Sequence, residues 1–351
     1  MTGRLTISLS ALAANYNALC RLAQGDVAAV VKADGYGLGA EPIAHRLAAE
    51  GCREFFVASC AEGVALREAL GPVVIYVLEG ALPETVQQLL QCELIPVLNT
   101  PAQIEAWSQT GAVCAVHVDT GMQRLGLPWA DAMQVLAETS LKVELLISHF
   151  ARADEPDSSA ARQQMARIQP VFEAMRAHYP ELRLSLGNSA ALKRGLGSEH
   201  LGRAGIGLYG GNPFHRGRSS QRPVARLEGR ILQVRNVAPG QAVGYGGRFI
   251  PAKPVRLATV GIGYADGVPR LLSGRGRVFI GGQHRPIVGR VSMDMIHVNL
   301  GDLPAAEGDW VEVMGANVSV DEVAEHAQTI AYEVLTGLGR RPLRQYVEAE
   351  L

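Results

Sequence analysis

A lysine closes the apolar run Val30–Val31–Lys32 and is followed at once by Ala33–Asp34–Gly35–Tyr36–Gly37. The residues before it, 27–31, are short and apolar, as a buried strand requires. Lysine is almost never fully buried without a partner, so its position at a strand end has two explanations. One is a cap reaching into water. The other is an amine in a desolvated pocket, whose lowered pKa suits it to act as a nucleophile or to form a Schiff base. Glycines at 35, 37 and 39 let the chain leave the strand through a loop that can approach a ligand closely. Other reactive types stand at comparable places: Asp119–Thr120 leading to Arg124, then His149, Asn188–Ser189, and Arg203 near Gly205.

These residues need a frame. Short apolar strands are expected near 27–32, 55–58, 73–77, 94–98, 113–119, 143–149, 182–187 and 203–207. Helical patterns fill the gaps, at 41–50, 62–70, 84–91, 101–109, 129–139 and 158–178. Ser8 can cap a first helix whose apolar face is Leu12, Tyr16, Leu19 and Leu22. Pro83, Pro101 and Pro128 fall where helices should begin. Strict alternation predicts a parallel sheet, and eight repeats predict an α/β fold of the (β/α)8 TIM type over residues 1–220. Beyond about Arg222 the texture changes. Segments 227–235, 255–262, 277–280, 284–288, 295–300 and 309–314 are short and β-like, separated by Pro239–Gly240, Gly246–Gly247 and Gly281–Gly282. They predict a mostly-β C-terminal domain over 221–351, with a last helix at 320–326 and the first few residues of the chain packing with it. The boundary is expected in Arg216–Gly217–Arg218–Ser219–Ser220.

Composition narrows the partners. A net charge of −1 gives no general basic surface for nucleic acid or anionic membrane. No apolar run is long enough to span a bilayer, and the first ten residues lack the apolar core of a signal peptide, so a cytoplasmic protein is expected. Five cysteines (20, 52, 60, 92 and 114) form no CxxC pair and are odd in number. They read as thiols, with no disulfide frame and no metal site.

In such a barrel, reactive groups gather at the C-terminal strand ends, and phosphate binds at the loops after strands 7 and 8. Those loops are Gly187–Asn188–Ser189 and Gly205–Ile206–Gly207. Ser189 offers a hydroxyl and the glycines expose backbone N–H groups. An anchored phosphate on one side and a Schiff-base lysine on the other are two halves of a pyridoxal 5'-phosphate site. Gly205–Ile206–Gly207–Leu208–Tyr209–Gly210 also satisfies GxGxxG, but Gly211, Pro213 and Gly217 leave no helix after it, which argues against a dinucleotide site.

Seven further segments join the Val31–Gly37 run: Asp119–Thr120–Gly121–Met122–Gln123–Arg124–Leu125–Gly126, Ser148–His149–Phe150, Asn188–Ser189, Arg203–Ala204–Gly205–Ile206, Gly263–Tyr264–Ala265–Asp266–Gly267, Gly289–Arg290–Val291–Ser292–Met293–Asp294 and Tyr332–Glu333–Val334. As an ordered set spanning nearly the whole chain, they resemble the alanine racemases, pyridoxal-phosphate enzymes built on a barrel. The resemblance implies that Lys32 carries the coenzyme, that Tyr36, Ser189, Gly205, Ile206 and Tyr332 hold its phosphate with Asn188 alongside, and that Arg203 faces the pyridine nitrogen. It places Arg124 near the phenolic oxygen and the substrate carboxylate. Met293 and Asp294 are implied at the substrate, Tyr264 as the second base, and His149 as a link from Arg203 toward Tyr264. It further implies a head-to-tail homodimer, each barrel completed by the partner's Tyr264, Met293 and Asp294.

Chemistry gives these types an independent reason. Inverting an α-carbon removes a proton from one face and returns one to the other, so two bases of matched strength are wanted. A neutral lysine serves one face. A tyrosine serves the other if nearby positive charge such as Arg124 lowers its pKa well below about 10. An arginine, with a pKa above about 12, will not readily give a proton to the ring nitrogen, which leaves a poorer electron sink and discourages transamination. Taken singly, each residue has a plainer role: Tyr264 and Tyr332 in a core, His149 as a satisfied strand-end histidine, Arg203 in an ion pair, Asp294 in a turn. Their joint order is what favours the site. One departure stands out. Where many of the family carry a carbamylated lysine that braces the arginine, this chain has His117, which offers no stable anion. The rival readings are a broad-specificity amino-acid racemase, a decarboxylase on the same plan, and a coenzyme-binding protein without catalysis. The last is disfavoured by the β-rich third and its Tyr264 segment.

Overall fold

The computed structural model describes residues 2–137, 140–214, 217 and 219–351. Ten strands lie in the first three-fifths of the chain: β1 (Gly3–Ser8), β2 (Asp26–Val30), β3 (Glu54–Val57), β4 (Val74–Val77), β5 (Ile95–Leu98), β6 (Val113–Asp119), β7 (Leu127–Pro128), β8 (Lys142–Ile147), β9 (Arg183–Ser185) and β10 (Leu201–Ala204). Eight of them form one parallel sheet in the order β10-β2-β3-β4-β5-β6-β8-β9, and the short β7 pairs with β6. The remaining seam is bridged by Ser185, whose hydroxyl donates to Leu201 O (2.7 Å), and by the Arg203 N–H, which donates to Gly187 O (2.7 Å). The result is a nearly closed (β/α)8 barrel. Its strands are buried on both faces, which is why they read as unbroken apolar runs.

Seven expected strands start and end within two residues of their expected bounds. The eighth ends at Ala204, because Gly205–Gly210 turns away instead of extending the sheet. Ser8 caps the first helix, Leu9–Cys20, by accepting the Ala11 N–H (3.0 Å). Leu12, Tyr16 and Leu19 are buried as expected, but Leu22 lies past the helix end and is exposed. Pro101 opens the helix Pro101–Ser108, whereas Pro128 sits in β7 and the following helix begins only at Ala132. The last two residues of the helix expected over 129–139 lie outside the described residues, as do Arg216 and Arg218 of the expected boundary.

The barrel interior is layered. Arg183, the first residue of β9, donates twice to the Glu54 carboxylate at the start of β3 (2.7 and 2.9 Å) and to Tyr76 Oη of β4 (3.0 Å). Tyr76 in turn donates to Glu144 of β8 (2.6 Å). None of the β9–β3, β9–β4 and β4–β8 contacts joins neighbouring strands, so this network crosses the barrel near its N-terminal end. Above it, Tyr76 stacks on Phe56 with centroids 4.6 Å apart, and the Arg203 guanidinium stands 5.9 Å from the Phe56 ring.

The rest of the chain is β-rich: β11 (Ala225–Val237), β12 (Val255–Val260), β13 (Arg277–Ile280), β14 (Gln283–Val288), β15 (Ile296–Asn299), β16 (Trp310–Met314) and β17 (Leu343–Val347). With β1 they make one sheet in the order β12-β15-β14-β13-β16-β11-β1-β17, and β11 also pairs with β12. Pairing is antiparallel except between β1 and β17. The chain divides into two compact units. One comprises Ala13–Leu208 with Pro213–Gly217, and the other Met1–Leu12, Tyr209–Asn212 and Arg218–Leu351. Among the described residues no helix is long and apolar enough to cross a membrane.

Candidate active site

Lys32 leaves β2 on a left-handed turn. Ala33, Asp34, Gly35 and Tyr36 all have positive φ, between 53° and 61°. For residues with a Cβ this costs about 1–2 kcal/mol each. The turn is held by its surroundings: Ala33 N–H donates to Glu62 (2.8 Å), Ala40 N–H to the Asp34 carboxylate (2.8 Å) and Gly39 N–H to Asp34 O (2.8 Å). Glu62 is itself fixed by the Ala58 N–H (2.7 Å). Strain so placed is typical of functional sites. Burial lowers the affinity of the Lys32 amine for a proton, and repulsion from Arg124 and Arg203 lowers it further against a smaller opposing pull from Glu62.

Arg203 is buried, and both its terminal nitrogens are engaged. One terminal nitrogen donates to Ser185 O (2.8 Å) and Ser185 Oγ (2.6 Å), the other to Ser148 O (2.7 Å), His149 Nδ1 (3.0 Å) and Leu186 O (3.3 Å). All five acceptors are neutral. Burial, then repulsion from Arg124, brings its pKa down to about 9, so it stays charged at neutrality. Because a guanidinium only donates, His149 Nδ1 must accept. Burial and Arg203 hold His149 far below its ordinary pKa, so the ring is neutral and its proton resides on Nε2.

A second histidine has the opposite tautomer. Asn99, at the end of β5, donates its amide to Leu78 O (3.1 Å) and Val97 O (2.7 Å). That orientation leaves Oδ1 to accept from His117 Nδ1 at 2.8 Å. Burial, with Arg203 and Arg124 repelling, brings His117 down to about 4. It is neutral, with a lone pair on Nε2. Next in line, the Asp119 carboxylate collects the N–H groups of Gly121, Met122 and Gln123, each at 2.8 Å, and so shapes the loop carrying the exposed Arg124. Gln164 braces this end by donating to Thr120 Oγ1 (3.0 Å) and His149 O (2.8 Å).

Facing these is a donor cradle. Ser189 Oγ accepts the N–H groups of Gly205 (2.9 Å) and Gly207 (3.2 Å). With its lone pairs engaged, the hydroxyl keeps a proton to donate. A Cβ on Gly205 would lie 2.5 Å from Tyr36 Oη, so only glycine lets the tyrosine reach this corner. Asn188 caps the short helix Ser189–Lys193 by accepting the Ala191 N–H (3.1 Å), and Ile206 is buried in the turn.

In the β-rich unit, Tyr264 sits on a single 3-10 turn, Tyr264–Asp266. Its N–H donates to Ser292 O (3.0 Å) and that of Ala265 to Met293 O (3.1 Å). The 263–267 and 292–294 loops therefore touch through backbone, and a Cβ on Gly263 would fall 2.3 Å from Met293 O. Tyr264, Met293, Asp294 and Tyr332 are all exposed.

Both units match models of one family of known proteins. The model of the alanine racemase N-terminal domain matches residues 7–213, and that of the alanine racemase C-terminal domain matches 224–346. An alanine racemase of Methylobacterium sp. (strain 4-46) is 42% identical over 98% of each chain. The chain belongs to the alanine racemase family. A catabolic alanine racemase of Agrobacterium fabrum (strain C58 / ATCC 33970) is 41% identical over 99% of this chain and 92% of its own. In three dimensions, the alanine racemase of Bartonella henselae with covalently bound pyridoxal phosphate superposes with a TM-score of 0.91. It is 35% identical over 99% of this chain and all of that one.

For a family member the barrel end is a coherent receptor. A desolvated amine, a donor cradle free of carboxylates and a buried cation with neutral acceptors fit an aldehyde, a phosphate and a ring nitrogen. Of the expected residues, the barrel unit brings together Lys32, Tyr36, Ser189, Gly205, Arg203 and His149, and the β unit brings together Tyr264, Met293 and Asp294. Three participants escaped the sequence reading. Asn99 carries the same signal as Lys32, a polar residue ending an apolar strand. Asp266 lay inside a quoted segment. Arg341 stands in none of the segments singled out from the sequence.

Proposed function

We propose that this chain interconverts L- and D-alanine with pyridoxal 5'-phosphate held at Lys32. The observation that carries the reading is the pairing, at one barrel end, of a desolvated lysine with a buried arginine whose acceptors are all neutral. Tyr36, Ser189, Gly205 and Ile206 would hold the phosphate, joined by Tyr332 and with Asn188 alongside. When bound, the coenzyme supplies an electron sink that acidifies the α-proton of an amino acid.

The chain's own groups do the rest. With its lowered pKa, the Lys32 amine takes and returns a proton at Nζ on one face of the substrate. Tyr264 Oη serves the other face. Arg203, charged at neutrality, would meet the ring nitrogen as a hydrogen-bond donor. His149, neutral with Nε2–H, passes the orientation of Arg203 outward. Arg124 and the Met293 backbone would bind the substrate carboxylate, with Asp294 at the substrate beside Tyr264.

Homodimerisation follows from the same reading. The β unit leaves Tyr264, Met293, Met295, Ile330 and Tyr332 exposed. A second copy would cover it and receive Tyr264, Met293 and Asp294 in trans. A cytoplasmic location fits a chain whose described helices cannot cross a membrane.

The decisive experiment incubates L- and D-alanine separately with the enzyme and coenzyme in deuterated water. Exchange of the α-hydrogen with formation of the opposite enantiomer is expected, and Lys32→Ala should abolish both. Coenzyme binding without exchange, or carbon dioxide release in its place, would overturn the reading.

A further inference from the structure

We propose that Arg341 is the positioning residue for the second base. It rests on the reading of Tyr264 as that base. The tyrosine ring is exposed, so its place is set by the backbone beneath it. That backbone is closed into a circuit by one guanidinium. Arg341 donates to both oxygens of Asp266 (3.0 and 2.9 Å), to the Asp294 carboxylate (2.7 Å) and to Met293 O (3.4 Å). Asp266 is buried, and its Oδ2 also accepts the N–H of Gly263, the residue before Tyr264, at 2.8 Å.

One side chain thus ties the turn bearing Tyr264 to the loop bearing Met293 and Asp294. Its own origin is fixed too. Gly339 N–H donates to Asp266 O (3.2 Å), and a Cβ on Gly339 would lie 2.3 Å from Ala265 O. A lone exposed ion pair contributes little. Here a forked contact meets a buried carboxylate that already holds backbone, an arrangement in which loss of the cation strands the acid.

A displaced Tyr264 should fail on one face only. The test measures, in deuterated water, α-hydrogen exchange from each enantiomer by holoenzyme carrying Arg341→Gln or Arg341→Lys, with melting temperatures recorded. Exchange from one enantiomer should fall about 10–100-fold in Arg341→Gln, as a misplacement of order 1 Å produces, while exchange from the other stays within about twofold. Arg341→Lys, which keeps the charge, should recover part of the loss. Equal losses from both enantiomers, or no loss in a folded variant, would refute the assignment. A wild-type enzyme that exchanges neither would instead refute the racemase reading.

Discussion

Lys32 and His117 show how burial chooses a protonation state. Both are basic groups desolvated beside Arg124 and Arg203, and both are pushed toward the neutral form. For Lys32 this is the form that attacks a carbonyl, so Lys32→Ala should cost about a thousandfold or more in racemisation, read by coupled assay of D-alanine. For His117 the consequence is a pH dependence of stability. Above about pH 6.5 the ring is neutral folded or unfolded and contributes nothing. As pH falls from 6.5 toward 4, the unfolded chain takes up a proton that the folded one refuses, and stability is lost. The loss should reach about 3 kcal/mol below pH 4. Urea titrations across that range should show it, and His117→Asn should lessen it, leaving the loss that the buried His149 adds. Ser189→Ala would orphan the N–H groups of Gly205 and Gly207, each costing about 1–3 kcal/mol if left unpaired. It should also weaken coenzyme binding, measured by absorbance titration.

At the scale of elements, the left-handed turn after β2 is where the fold stores strain for the site. Ala33 has φ 54° and ψ 48°, a conformation glycine adopts freely. Ala33→Gly should therefore stabilise the folded chain by about 1 kcal/mol, checked by chemical denaturation. The barrel strands were legible because burial on both faces leaves short apolar runs with one polar residue at the end. β1 and β17 were not. Gly3–Ser8 mixes Arg and Thr with Leu and Ile, and Leu343–Val347 sets Arg and Gln among Leu, Tyr and Val with no residue buried; each becomes a strand by pairing with the other and, for β1, with β11. The helix Ala331–Thr336 was likewise read only as the Tyr332 motif. Site candidates announced by strand ends or by ordered motifs were legible in the sequence. Arg341 was not, since its meaning lies in Asp266 and Asp294, 75 and 47 positions away.

At the scale of the whole molecule, the reading demands two copies. Mixing Lys32→Ala chains with Tyr264→Phe chains should restore about a quarter of wild-type activity at random pairing, since half the dimers are mixed and each carries one intact site. Activity of the mixture should also fall on dilution, followed by enzyme assay beside sedimentation.

Side chains fill the interior of such a barrel, and here Arg183, Glu54, Tyr76 and Glu144 tie its foot together, opposite the end that bears Lys32. Whatever arrives at Lys32 must depart through the doorway by which it came. On the proposed reading, reactant, mirror-image product and coenzyme would share one threshold, and a molecule that corks it would halt arrival and departure together.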